Sequence, residues 1–131
     1  MTLTNAPLHD DMVGVPHGGK AYWLRTSDNV RIRVAVWEPQ DTARGTVLMF
    51  PGRTEYIEKY GSLANEFGKR GFATLIIDWR GQGLSDRLLD DERLGHIDNF
   101  SNYHKDIAAA LRLAREIDLP HPFHMVGHSM G

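Results

Sequence analysis

The spacing of hydrophobic and polar positions changes along the chain. Through residue 18 there is no period, because Asn5, Pro7, Gly14, Pro16, Gly18 and Gly19 interrupt every apolar run. Such punctuation predicts an irregular leader over residues 1–18. Two strand-like runs follow, Ala21–Arg25 and Val30–Trp37, either side of Ser27-Asp28-Asn29. In the second, Ile32, Val34 and Val36 alternate with Arg31, Arg33 and Ala35. A period of two flanking turn residues predicts an antiparallel hairpin.

Beyond residue 45 the alternation disappears. Thr46–Phe50 and Ala73–Ile77 are continuous apolar runs, the pattern of strands covered on both faces. Between them, Ile57, Tyr60, Leu63, Ala64 and Phe67 recur at intervals of three and four, which predicts a helix from Glu55 to Arg70. Lys69 and Arg70 suit its C-terminus, and Gly71 can take the left-handed conformation that ends it. Residues 79–98 read as a polar connection. A second helix is expected over Phe100 to Ile117, with Phe100, Tyr103, Ile107, Leu111, Ala114 and Ile117 on one face, stopped by Pro120 and Pro122. Phe123–Val126 reads as a third short strand. A hairpin followed by strand–helix–strand–helix–strand predicts an α/β fold, with a mostly parallel sheet and helices on its faces, over residues 19–131.

Composition narrows the function classes. Fifteen Lys and Arg against 17 Asp and Glu leave a net charge of −2, which disfavours a general nucleic-acid binder. With 41% hydrophobic and 24% charged residues the chain reads as globular. It has no cysteine, which excludes disulfides and thiolate metal sites. Met1 to Asp11 lacks the basic and apolar regions of a signal peptide, and no apolar run is long enough to span a bilayer. A soluble, cytoplasmic protein is the expectation.

The last five residues, Gly127-His128-Ser129-Met130-Gly131, form Gly-x-Ser-x-Gly directly after a buried strand. With 13 glycines in 131 residues that pattern alone is weak, and its position gives it weight. A serine on a sharp turn after a strand projects its hydroxyl above the sheet, and glycines let the neighbouring backbone pass close. Ser129 is therefore the candidate nucleophile. In this architecture the loop after the first buried strand supplies a backbone N–H to an oxyanion hole. That loop reads Phe50-Pro51-Gly52-Arg53-Thr54-Glu55. Gly52 permits the tight turn, and the N–H groups of Arg53 and Met130 are the candidate donors.

Asp78-Trp79-Arg80-Gly81-Gln82-Gly83-Leu84-Ser85 is glycine-rich, but Asp86 stands where a dinucleotide fingerprint needs glycine, and no P-loop lysine follows. It reads as a structural loop in which Asp78 and Arg80 hydrogen-bond backbone. Asp86, Asp90, Asp91 and Glu92 lack calcium-loop spacing and read as a solvated cluster. His96 and His104 read as surface or capping residues, and His128 as a packed or hydrogen-bonded member of its motif. No histidine pair has metal-site spacing, and no metal or other cofactor is expected.

Taken together, the Gly127–Gly131 motif, the Asp78-x-Arg80-Gly81-x-Gly83-x-Ser85 loop and the Pro51-Gly52 turn resemble the α/β-hydrolase superfamily, over roughly Tyr22 to Gly131. Within it the chain is similar to the lysophospholipase and monoacylglycerol lipase group, related to serine aminopeptidase-like hydrolases. Many relatives carry His-Gly where this chain has Pro51-Gly52; the backbone donor survives that change. The resemblance implies the N-terminal part of an α/β-hydrolase fold and a serine hydrolase of acyl esters or lysophospholipids. It leaves peripheral membrane contact and oligomeric state open. In the superfamily the acid and the histidine follow the serine, whereas all seven histidines here precede Ser129. The acid and base are therefore expected beyond this chain, which by itself should be inactive. Two alternatives stand beside this reading. One is a non-catalytic fragment. The other is a peptidase, acyltransferase or haloperoxidase on the same scaffold.

Overall fold

The hairpin alternation has a structural consequence beyond the pairing itself. Ile32, Val34 and Val36 turn to one face of a sheet, while Arg33, Ala35 and Trp37 turn to the other, and both faces are buried. The structure, a computed structural model, describes residues 3–12, 14–52, 55–86 and 102–128. Arg53, Ser129, Met130 and Gly131 of the candidate site lie outside these residues, as do Asp90, Asp91, Glu92, His96 and Phe100.

The elements in chain order are β1 (Thr4–Asn5), β2 (Lys20–Arg25), β3 (Arg31–Trp37), β4 (Gly45–Phe50), a 3-10 turn (Ile57–Tyr60), α1 (Gly61–Lys69), β5 (Phe72–Asp78), α2 (Tyr103–Glu116) and β6 (Phe123–Gly127). They form one six-stranded sheet in the order β1-β2-β3-β5-β4-β6. β4 runs parallel to both β5 and β6. The sheet is mixed rather than mostly parallel, because the hairpin joins it and β3 pairs antiparallel with β5. Within the leader, Thr4 and Asn5 pair with Trp23 and Tyr22.

The two faces are covered by different helices. One face packs Val34, Leu48, Leu75 and Ile77 beneath Ala110, Leu113 and Ala114 of α2. The other packs Ala35, Met49 and Ile76 beneath Ile57 and Ala64. Burial on both sides explains why β4 and β5 read as unbroken apolar runs.

Both helices depart from the periodic reading. The segment predicted as one helix from Glu55 begins as a 3-10 turn at Ile57 and becomes α-helical at Gly61. The Ile57 N–H is taken by Asp78 Oδ1 at 2.9 Å, not by a helical carbonyl. The tighter first turn shifts the register, so α1 buries Gly61, Ala64 and Gly68, and Leu63 is exposed. Gly71 takes the expected left-handed conformation, with φ +89°. In α2 the fully buried stripe includes Tyr103, Asp106, Ala110 and Leu113, while Ile107, Leu111 and Ile117 flank it.

Polar groups fill the carboxyl ends of the strands. Arg33, 1% exposed, donates through Nε to Asp78 Oδ2 at 2.8 Å and through both terminal nitrogens to Glu58 at 2.7 Å. Bidentate charge-assisted pairing of this kind offsets the desolvation of buried charge. Asp78 also accepts the N–H groups of Ile57 and Leu84, each at 2.9 Å. A second buried arginine, Arg80, bonds Asp106 of α2 and Asp28 of the hairpin turn. The glycine-rich stretch is thus a structural loop as expected. Asp78 does bind backbone, whereas the Arg80 side chain binds carboxylates.

Gly83 packs against Asp78 with φ +53°, and a Cβ there would lie 2.1 Å from Asp78 Cγ. Gly83→Ala should lower unfolding free energy by at least about 2 kcal/mol, combining a strained backbone with displacement of a buried carboxylate. Urea unfolding of the protein and variant at neutral pH measures it. A change within about 0.5 kcal/mol would contradict this packing.

Candidate functional site

Parallel strands place their C-terminal ends, and the loops that follow, along one edge of the sheet. In α/β proteins ligands bind outside that edge. Here the register sets Phe50 of β4 against Gly127 of β6, and the His128 N–H donates to the Phe50 carbonyl at 3.1 Å. The pairing therefore continues to the residue before Ser129. Pro51 and Gly52 follow β4 on the same edge, so Gly52, Gly127 and His128 are brought together.

The loop after β4 is held on two sides. Trp79, the first residue after β5, donates its indole N–H to the Pro51 carbonyl at 2.7 Å. Its ring lies 5.7 Å from that of Phe50 and 4.7 Å from that of Tyr103. Glu55 turns back over the same loop, and its Oε1 accepts the Gly52 N–H at 2.5 Å.

Glu55 also joins this loop to the one after β6. Its Oε1 accepts the Tyr60 hydroxyl and lies 3.1 Å from His128 Nδ1, while its Oε2 accepts Lys59 Nζ at 2.5 Å. Tyr60 Oη is itself 3.0 Å from His128 Nδ1. Burial alone would raise the Glu55 pKa, but donors from Lys59, Tyr60, His128 and Gly52 outweigh it and hold it at about 2. Burial and the adjacent carboxylate push the Tyr60 phenol up to about 12. At neutral pH Glu55 is therefore an acceptor only, and Tyr60 spends its one proton on it. His128 Nδ1 faces two acceptors and must carry a hydrogen. His128 is thus held by hydrogen bonds, as expected.

The roles of Glu55 and Tyr60 were missed in the sequence. Both fall in what reads as a helix, and their partners lie as far as 73 residues away. A clue was available in the Gly52-x-x-Glu55 spacing, which resembles a carboxylate reaching back to a turn N–H. A cleft of about 430 Å³ is lined by His9, Met12, Arg33, Tyr56, Glu58, Gly83 and Leu84, and its lining includes neither Gly52 nor His128. Among the described residues no group of three His, Cys, Asp or Glu could hold a metal ion, and no helix is long and apolar enough to cross a membrane.

Solved structures share the fold. A thermostable carboxyl esterase from Bacillus coagulans matches with a TM-score of 0.73 at 19% identity, covering 88% of this chain and 38% of its own. A soluble variant of monoglyceride lipase from Saccharomyces cerevisiae matches at 0.64 and 23%, covering 82% and 33%. The fold is that of the α/β-hydrolases, of which this chain forms a part.

At the level of sequence, residues 41–131 match the family described as serine aminopeptidase, S33, and the chain belongs to that family. It is 40% identical over 107 residues to lysophospholipase L2 of Escherichia coli, covering 79% of this chain and 30% of that protein. It is 31% identical over 102 residues to monoacylglycerol lipase of Mycolicibacterium smegmatis, covering 78% and 35%. The chain thus spans about a third of the length of the curated relatives it matches.

The depressed Glu55 pKa carries a pH signature. A carboxylate with a folded pKa near 2 and an ordinary value of 4.5 stabilises the fold above pH 4.5, and that contribution is lost as pH falls toward 2. The stability difference between the protein and Glu55→Gln should therefore shrink steadily from about pH 5 downward. Denaturant titrations at successive pH values test this. A difference that stays constant to pH 2.5 would contradict the assigned hydrogen bonds.

Proposed function

We propose that the protein containing this chain is a serine hydrolase of carboxylic esters, acting on lysophospholipids or monoacylglycerols. The observation that carries the reading is the β4–β6 register, which sets Gly52 beside the backbone that leads into Ser129. The names of the relatives support an acyl-ester substrate.

Chemically, the Ser129 hydroxyl attacks the ester carbonyl and forms a tetrahedral adduct. N–H groups of Arg53 and Met130 stabilise the oxyanion. The adduct collapses to an acyl-serine with release of the alcohol, and water then hydrolyses the acyl-serine to the free acid and restores Ser129. A histidine and a carboxylate outside this chain move the protons. The mechanism needs no cofactor. The description of the matched family as a serine aminopeptidase favours a second reading, amide hydrolysis by the same serine. Comparing turnover of an aminoacyl anilide with that of an acyl ester separates the two.

In the full-length protein, Ser129→Ala should lower ester hydrolysis by roughly 10⁴-fold or more. A fluorophosphonate should label the parent and not the variant. A variant that keeps ester turnover and labelling would overturn the reading.

A further inference from the structure

We propose that Glu55 is a positioning residue, whose single buried carboxylate sets the loop after β4 relative to the loop after β6. The inference rests on the ester-hydrolase reading. Glu55 is 8% exposed and is the shared partner of Gly52 N–H, Tyr60 Oη and His128 Nδ1, with Lys59 on its second oxygen. One partner lies just before the proposed donor Arg53, and another just before the proposed nucleophile Ser129.

The need for such a residue follows from the turn itself. Glycine at position 52 permits the tight turn but leaves the backbone many conformations. The peptide that follows Gly52 carries the N–H on which oxyanion stabilisation depends. The carboxylate and Trp79 hold the N–H and the carbonyl of the Pro51–Gly52 peptide, and the Glu55 N–H donates to the Gly52 carbonyl at 3.3 Å, so Glu55 holds the peptide groups on both sides of Gly52. On the β6 side, holding His128 Nδ1 fixes the side chain next to Ser129. Tyr60, at the end of the 3-10 turn, donates to the same carboxylate and lies 3.0 Å from His128 Nδ1, and Lys59 donates to its second oxygen. Glu55 takes no part in bond making. It acts through the two loops it joins.

Glu55→Gln keeps the size of the side chain but replaces one acceptor oxygen with a donor amide among groups that all donate. In the full-length protein it should lower kcat for a p-nitrophenyl acyl ester about 10- to 100-fold, with KM within about threefold. A displacement near 1 Å is enough for such a loss. The inhibition constant for phenylboronic acid, which forms a tetrahedral adduct with an active serine, should rise by a similar factor. A residue with a purely structural role would lower thermal stability and leave both kcat and boronate inhibition unchanged. That result would overturn the proposal.

Tyr60→Phe removes one donor from the same carboxylate with little change in packing, and should lower kcat about 3- to 10-fold. It decides the matter if Glu55→Gln fails to fold, since an unchanged kcat there would also overturn the proposal. Ser129→Ala separates the two levels. If that variant remains active, the hydrolase reading falls and this inference with it. If it is inactive while folded Glu55→Gln behaves as the parent, only the role of Glu55 is wrong.

Discussion

At the end of β5, Asp78 joins three segments that are far apart in the chain. Its carboxylate receives Arg33 from β3, the Ile57 N–H from the 3-10 turn and the Leu84 N–H from the loop after β5. Arg33 extends the same network to Glu58 and to the Pro7 carbonyl, and Glu58 takes the His9 N–H. A buried charge left without its partner typically costs about 3–5 kcal/mol. The network is therefore all-or-none: each donor is tolerated in the core only while the others are present. Sheet, leader and the loops on the C-terminal edge are tied into one unit by that condition.

The candidate site is built over this frame. The 3-10 turn that begins at Ile57 also carries Lys59 and Tyr60 toward Glu55. The loop after β5 carries Trp79 toward Pro51. Two loops are thus referred to the same rigid base, and the β4–β6 register brings in a third through His128. Precision at an edge made of loops comes here from buried carboxylates that accept backbone N–H groups, a way of fixing polypeptide that apolar packing alone does not supply.

What the sequence revealed follows from which interactions are local. β4 and β5 were evident because burial on both faces leaves a continuous apolar run, and the hairpin because its turn residues are adjacent. The Asp78–Ser85 stretch was correctly read as structural, though its reason, Gly83 packed on Asp78, needed coordinates. Arg33, Glu58 and Asp106 look like surface positions in the sequence. Their burial depends on partners from other elements, such as Asp78, which lies 45 residues from Arg33. The start of the first helix is misplaced because the apolar spacing of Ile57 and Tyr60 does not distinguish a 3-10 turn from the α-helix that begins at Gly61. Ser129, the proposed nucleophile, is marked in the sequence by its motif alone. Glu55 is marked only by its spacing from Gly52, and its link to His128, 73 residues away, is not legible in the sequence.

Native-state hydrogen exchange at the Ile57 and Leu84 amides tests the central claim, that Asp78 makes the loops part of the core. Both lie outside the strands, and both donate only to the Asp78 carboxylate in the contacts described above. If the network holds the loops, these amides should be protected with the same free energy as Leu75 and Ile76 within β5, as members of one cooperative unit. Exchange at rates typical of exposed loops, with β5 still protected, would show that the loops open independently of the core and would contradict the account.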